Sequence, residues 1–359
     1  MDTSKYAFIS FDESRAIKGL LIFLIVLGHN AVFTRTFNGS FHFIYTFHVQ
    51  AFFILPFFYV YTKQSRLIDC FKKHFARLYY PFILFFIILS LIFYITGGNN
   101  LDYNKVLNLD NSNIEAIWFY IITLFTGNYY LIDYFTGFQY LWFLPVMFSM
   151  SVLKDAFRNN KVIETFLLII GFVCYILFFV FMYKKPYDEN CNFLLMIFSP
   201  FAILQGCGAY FLGKVTYYLI NNKYIKVVNA VCTILFILFC ASYITALIVK
   251  GTITYCELWT YRFIMPILFI NFIYYFKSNI SRYSFLKKLG DYSFPIYIIH
   301  PPLCTTAYLI CKNYFQINLV YAIVVQFVVL FISFYISTKW VKIDSLRKRT
   351  LPRAINEIL

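Results

Sequence analysis

Apolar stretches follow one another from residue 15 to residue 340, and no independent soluble domain interrupts them. A helix needs about 20 apolar residues to cross the hydrocarbon of a bilayer. Stretches of that kind lie near 15–33, 42–61, 79–96, 137–153, 162–182, 193–212, 226–249, 258–276, 292–311 and 318–339. The sequence therefore predicts an all-α polytopic membrane protein with about ten transmembrane helices. Residues 114–128 are apolar but short and end at Thr-Gly-Asn, and they read as a re-entrant or interfacial helix. Residues 1–340 form a single transmembrane domain, and 341–359 a short basic tail suited to anionic lipid. The first stretch is too long for a cleavable signal and has no small-residue cleavage site after it, so it reads as a retained span. Composition agrees: 61% of the residues are hydrophobic and only 13% charged, where a soluble domain carries about 25% charged residues.

The formal net charge of +15 invites a nucleic-acid reading. Topology accounts for it instead. With both termini cytoplasmic, 24 of the 31 Lys and Arg residues fall on the cytoplasmic side, as the positive-inside rule requires. No nucleic-acid partner is needed; the lipid bilayer is the partner that composition demands. The nine cysteines show no C-x-x-C pair or zinc spacing, and no metal site is expected. Cys174, Cys207, Cys232, Cys240, Cys304 and Cys311 read as small core residues. Cys191 and Cys256 both fall outside in this topology, which leaves a disulfide between them open.

Ionisable groups inside a membrane are costly and tend to be functional. Counted at 1.5 Å per residue, His29 lies about 16 Å above Lys18, His300 about 18 Å above Lys288, and His48 about 20 Å from Tyr61. All three sit near the middle of a hydrocarbon core about 30 Å thick. They read either as a shared polar cavity or as hydrogen-bonding glue between helices. In a cavity, a neutral imidazole is suited to take the proton of a hydroxyl that attacks an activated acyl group. No G-x-S-x-G or H-E-x-x-H occurs, which disfavours a serine hydrolase and favours direct attack or a transient acyl-histidine. His42 and His74 read as structural or solvated.

Arg15 and Lys18 at the foot of the first span, and Arg77 at the start of the third, are suited to grip phosphates; topology anchoring is the other reading. Pro56, Pro145, Pro266, Pro295, Pro301 and Pro302 mark places where helices open onto a cavity or simply kink. The loop 97–136 is rich in Asn and Tyr, a composition that suits sugar recognition and equally an interfacial aromatic belt.

Four stretches, in order, resemble the acyltransferase-3 family of integral-membrane O-acyltransferases, including its fucose 4-O-acetylase-like and polysaccharide O-acetyltransferase group. They are Ile-Lys-Gly-Leu-Leu-Ile-Phe-Leu-Ile-Val-Leu-Gly-His (17–29), Phe-His-Val-Gln-Ala-Phe-Phe-Ile-Leu-Pro (47–56), Leu-Trp-Phe-Leu-Pro (141–145) and Gly-Asp-Tyr-Ser-Phe-Pro-Ile-Tyr-Ile-Ile-His-Pro-Pro (290–302). Arg77 with Pro81 is similar to the family's Arg-Leu-x-x-Pro. Lys18 stands where the family has Arg, and Arg15 where it has Asp.

The resemblance implies ten spans, a catalytic histidine at His29, an acyl-CoA donor reaching the site from the cytoplasm, and an acceptor hydroxyl on a cell-envelope glycan or its lipid-linked precursor. On this reading the protein is a multi-pass enzyme of the cell (inner) membrane that transfers an acetyl group. His29 is the base, and His48 or His300 orients it or stabilises charge. Lys18, Arg77 and Arg15 bind the coenzyme A phosphates, and Tyr140 and Trp142 shape the wall. Acyl-CoA is a co-substrate, and no tightly bound cofactor is expected. The alternative is a proton-coupled transporter or flippase of an envelope glycan precursor.

Overall fold

The computed structural model describes residues 8–37, 43–58, 66–96, 113–157, 160–183, 202–250, 255–315 and 317–350. His42, residues 97–112 of the expected polar loop and Cys191 lie outside them. Every regular element among the described residues is helical. The chain opens with α1 (Phe11–His29), α2 (Ala31–Thr36) and α3 (His48–Ile54), which runs into a 3-10 turn at Leu55–Phe58. Next come α4 (Leu67–His74), a π turn at Phe75–Tyr79, α5 (Tyr80–Ile95), α6 (Asn113–Thr126) and α7 (Tyr129–Thr136). A 3-10 turn at Gln139–Trp142 leads into α8 (Phe143–Ala156), followed by α9 (Lys161–Tyr183) and α10 (Ala202–Ile220). The rest is α11 (Ile225–Lys250), α12 (Tyr255–Tyr275), α13 (Lys277–Ile280), α14 (Ser284–Asp291), α15 (Ser293–Tyr314) and α16 (Leu319–Thr350).

Among the described residues, four helical segments are long and apolar enough to cross a membrane: Leu67–Ile95, Ile225–Lys250, Ser293–Tyr314 and Leu319–Lys342. They match four of the expected spans. Large apolar side chains along α11, such as Ile234, Ile237 and Leu238, stand exposed. Such a surface calls for lipid rather than water around it. The first two expected spans are interrupted among the described residues. The first breaks at Asn30, which ends α1 and caps α2. The second breaks at Tyr45–Phe47, so that only His48–Phe58 runs on as an apolar helix. Broken helices at membrane depth are tolerated where they line a cavity. The last helix continues to Thr350, through part of the stretch read as a tail.

Two compact units emerge, one formed by Met1–Val60 with Val215–Leu359 and the other by Tyr61–Lys214. In the first, α1 is central and packs against α3, α14, α15 and α16. Ser10 begins it with a capping box: its hydroxyl accepts from Glu13 N–H at 3.2 Å, and the Glu13 carboxylate accepts from Ser10 N–H at 2.7 Å. Above the first turn Ile17, Leu21, Ile22, Ile25 and Val26 are sealed. Between helices in lipid the hydrophobic drive is weak, and close packing of small residues takes over. Gly19 lies against the carbonyl of Leu286 in α14, and Gly290 of α14 lies against the carbonyl of Arg15, closely enough that neither has room for a Cβ. Ion pairs edge this contact: Arg15 grips Asp291 with two nitrogens, and Lys287 reaches Asp12 at 3.0 Å. Exposed pairs of this kind contribute little, so the glycine contact is the stronger determinant.

In the second unit α6 ends as its sequence predicts, with Gly127 at φ 62° and Asn128 starting α7 by accepting from Leu131 N–H at 3.1 Å. His74 is buried and bonds Asp155 at 2.8 Å, which ties α4 to α8 in keeping with its structural reading. Lys154 and Lys73 lie 3.3 and 3.5 Å from the same carboxylate. Burial pushes the Asp155 carboxyl up, but the His74 hydrogen bond and the Lys154, His74 and Lys73 charges hold it well below the usual carboxylate range. A depressed folded-state value means that this stabilisation is complete above the unfolded value of about 3.9 and is lost as pH falls through the folded one. Melting in detergent is expected to stay level from neutral pH down to about 4 for this group, then to decline. Asp155→Ala should cost about 1.5–3 kcal/mol at neutral pH; a variant as stable as the parent would contradict the cluster's role.

Candidate active site

His29 is the last residue of α1, and His48 the first of α3. His300 sits in the first half of α15, directly before two prolines that interrupt its hydrogen-bond ladder. Each ring bonds the carbonyl four residues back through Nδ1: His29 to Ile25 at 2.9 Å, His48 to Ile44 at 2.5 Å, and His300 to Ile296 at 3.0 Å. A carbonyl only accepts, so all three carry the proton on Nδ1 and present Nε2 as a lone pair. One sequence-local device thus sets three tautomers alike.

The three histidines come together in the first unit. His300 Nε2 lies 3.3 Å from His29 Nδ1, and the ring centroids are 4.9 Å apart. Tyr45 OH donates to His29 Nε2 at 2.8 Å, and its ring meets the edge of His48 at 4.6 Å. His48 and His300 are fully sealed at 0% exposure, whereas His29 and Tyr45 are half-buried and keep accessible surface. His48 Nε2 has no hydrogen-bond partner among the described residues. Gly28 packs closely beneath the cluster: a Cβ there would lie 3.2 Å from the Tyr45 ring, a tight contact, and 3.7 Å from His48 Nε2, an ordinary one.

The helix break beside His29 is held from α16. Asn30 donates to Ala322 O at 2.9 Å and lies 3.4 Å from Gln326 Oε1, while its own oxygen accepts from Phe33 N–H at 3.2 Å. Gln326 in turn donates to Phe23 O at 3.3 Å. Asn30→Ala is expected to destabilise the protein by about 1–3 kcal/mol, because it removes a cap and leaves buried groups unpaired. A loss of kcat should accompany the lower melting temperature; an unaltered melting curve would show that α16 does not hold the break.

His29 Nε2 thus has a hydroxyl on its lone pair, and His300 Nε2 stands behind its Nδ1. The family model described as acyltransferase domain matches residues 11–338 and so takes in every residue of this cluster. The chain belongs to the acyltransferase-3 family. It is a membrane acyltransferase, and its reaction joins an acyl donor and an acceptor. No curated protein and no solved structure matches the chain.

The remaining site expectations divide between the units of the acyltransferase. Lys18 is half-buried on α1, eleven residues before His29. The Arg15 guanidinium is engaged by Asp291 and Asp12. Arg77, Tyr140 and Trp142 belong to the second unit. Arg77 is exposed on the π turn, a bulge type common at functional sites. Tyr140 is buried against Phe138, and Trp142 meets Tyr129 edge-on at 5.9 Å.

Three residues of the cluster are not expected from the sequence: Tyr45, Asn30 and Gln326. Arg262 lies on α12, which packs on α3 with Phe269 4.3 Å from Phe47. An arginine within the expected span 258–276 is itself a signal, since intramembrane charges tend to mark sites. Asn30, polar and next to His29, is a weaker one. Tyr45 is one of 32 tyrosines and carries no sequence signal.

Proposed function

We propose that the protein is an O-acetyltransferase of the cell (inner) membrane that moves an acetyl group from acetyl-CoA to a hydroxyl of a cell-surface polysaccharide or its lipid-linked precursor. The observation that carries this reading is His29: an accessible imidazole of assigned tautomer whose Nε2 lone pair already accepts from a hydroxyl at 2.8 Å. The acceptor oxygen attacks the thioester carbonyl as its proton passes to His29. The imidazolium so formed is stabilised by Ile25 O and by His300 Nε2, the orienting group of the pair. The C–S bond then breaks, and the thiolate recovers the proton. His48, sealed against the Tyr45 ring, packs beside the pair.

Among the residues of the first unit, donor binding from the cytoplasmic side falls to Lys18. Arg77 as a phosphate ligand, with Tyr140 and Trp142 as wall residues, keeps the role that the sequence suggests. Arg15 would have to exchange Asp291 for a phosphate in order to take part. The test is to add acetyl-labelled acetyl-CoA and a lipid-linked glycan extract to proteoliposomes that contain the protein. Label is expected in the glycan fraction as a base-labile ester. Movement of unmodified glycan across the bilayer, independent of acetyl-CoA, would overturn the reading in favour of a transporter.

A further inference from the structure

We infer that Tyr45 is a second catalytic residue, through which the acceptor hydroxyl passes its proton to His29; the inference rests on the acyl-transfer reading above. Three observations point to it. The Tyr45 hydroxyl occupies the lone pair that any general-base mechanism at His29 must use, at 2.8 Å. Of the four rings in the cluster, only His29 and Tyr45 keep accessible surface, so an incoming substrate meets these two. The backbone is also arranged for the contact. Tyr45 lies in the break that interrupts the expected second span, next to Thr46 and ahead of Phe47, which caps α3 without a side-chain hydrogen bond. Gly28 leaves the space that the Tyr45 ring fills against α1.

A phenol donates one hydrogen bond and accepts others, so it can stand between two oxygen or nitrogen groups without a charge of its own. The acceptor hydroxyl donates to the Tyr45 oxygen while Tyr45 donates to His29 Nε2. In the transfer step the acceptor O–H bond breaks and its oxygen bonds the acyl carbon. The released proton goes to Tyr45 as the phenolic proton goes to His29. The C–S bond then breaks, and the leaving thiolate takes the proton from His29. Tyr45 and His29 end neutral, and one thioester has become one ester.

The test compares Tyr45→Phe with the parent and with His29→Ala in the same detergent-purified preparation. Tyr45→Phe keeps the ring that packs on His29 and His48, and melting checks that it folds. A proton-transfer role predicts a loss of kcat of about 10²-fold or more with KM for acetyl-CoA unchanged. Replacement of Tyr45 by a fluorotyrosine, a more acidic phenol, should move the alkaline limb of the kcat–pH profile to lower pH, which a packing role would not do. Wild-type kcat in Tyr45→Phe, or an unmoved limb, would overturn the relay. An acyl ester trapped on Tyr45 in the absence of acceptor would also overturn it, in favour of a nucleophilic tyrosine. Activity retained in His29→Ala would remove the base reading itself, whereas a dead His29→Ala beside an active Tyr45→Phe would remove only the relay.

Discussion

His29→Ala is expected to lower acyl transfer by about 10²–10⁴-fold, the range seen when a general base is removed, while the chain still folds. The ring is half-buried at the end of α1, and its deletion removes contacts with Tyr45 and His300 but none of the sealed aliphatic packing below it. The stability cost should therefore stay near that of one or two hydrogen bonds, about 1–3 kcal/mol. His300→Ala gives the contrast. His300 is fully sealed and acts through His29, so its loss removes support for the imidazolium rather than the base. A charge-assisted hydrogen bond contributes about 1.5–3 kcal/mol, which corresponds to a fall in kcat of roughly 10- to 150-fold. Initial rates of acyl transfer at saturating acyl donor, with melting curves of each variant, separate the two. Equal losses in both would mean that the histidines act as one unit; no loss in His29→Ala would end its assignment as base.

Gly290→Val is expected to leave little folded protein at all. A Cβ on Gly290 would fall inside the Arg15 carbonyl oxygen, with the Arg15 carbonyl carbon at 2.7 Å and its Cα at 3.1 Å. Backbone atoms cannot rotate aside, so α14 and α1 must separate. Overpacking costs about 1–3 kcal/mol where side chains can shift, and here they cannot relieve the clash. Separation would also pull Asp291 from Arg15 and Lys287 from Asp12, at the foot of the helix that carries His29. Arg15→Ala removes only exposed pairs and should still fold. Detergent extracts run on a size-exclusion column distinguish the cases: a monodisperse Gly290→Val peak at parental height would show that the helices do not meet there.

Much of the site is legible in the linear chain. A histidine ending an apolar stretch, a second near the start of another and a third before Pro-Pro can be placed at one depth from helical rise alone, because rise per residue is nearly constant. Their meeting cannot. His29 and His300 are 271 residues apart, and nothing local specifies their 3.3 Å contact. Tautomers are in principle readable, since an i−4 carbonyl lies within reach of any helical histidine. The breaks at Asn30 and Tyr45–Phe47 are hidden because continuous apolar runs look alike whether or not the helix continues. Asn30 finds its partners Ala322 and Gln326 nearly 300 residues away.

Bilayer thickness, charge asymmetry and ordered motifs are all read along the chain, and they suffice for a helical membrane acyltransferase with His29 as its most telling residue. Which histidine stays accessible, which tyrosine meets it, and why Gly19 and Gly290 have no side chains are matters of packing between segments remote in sequence. In lipid, where apolar burial hardly discriminates between neighbours, that packing is set by close contact and buried hydrogen bonds that no single segment encodes.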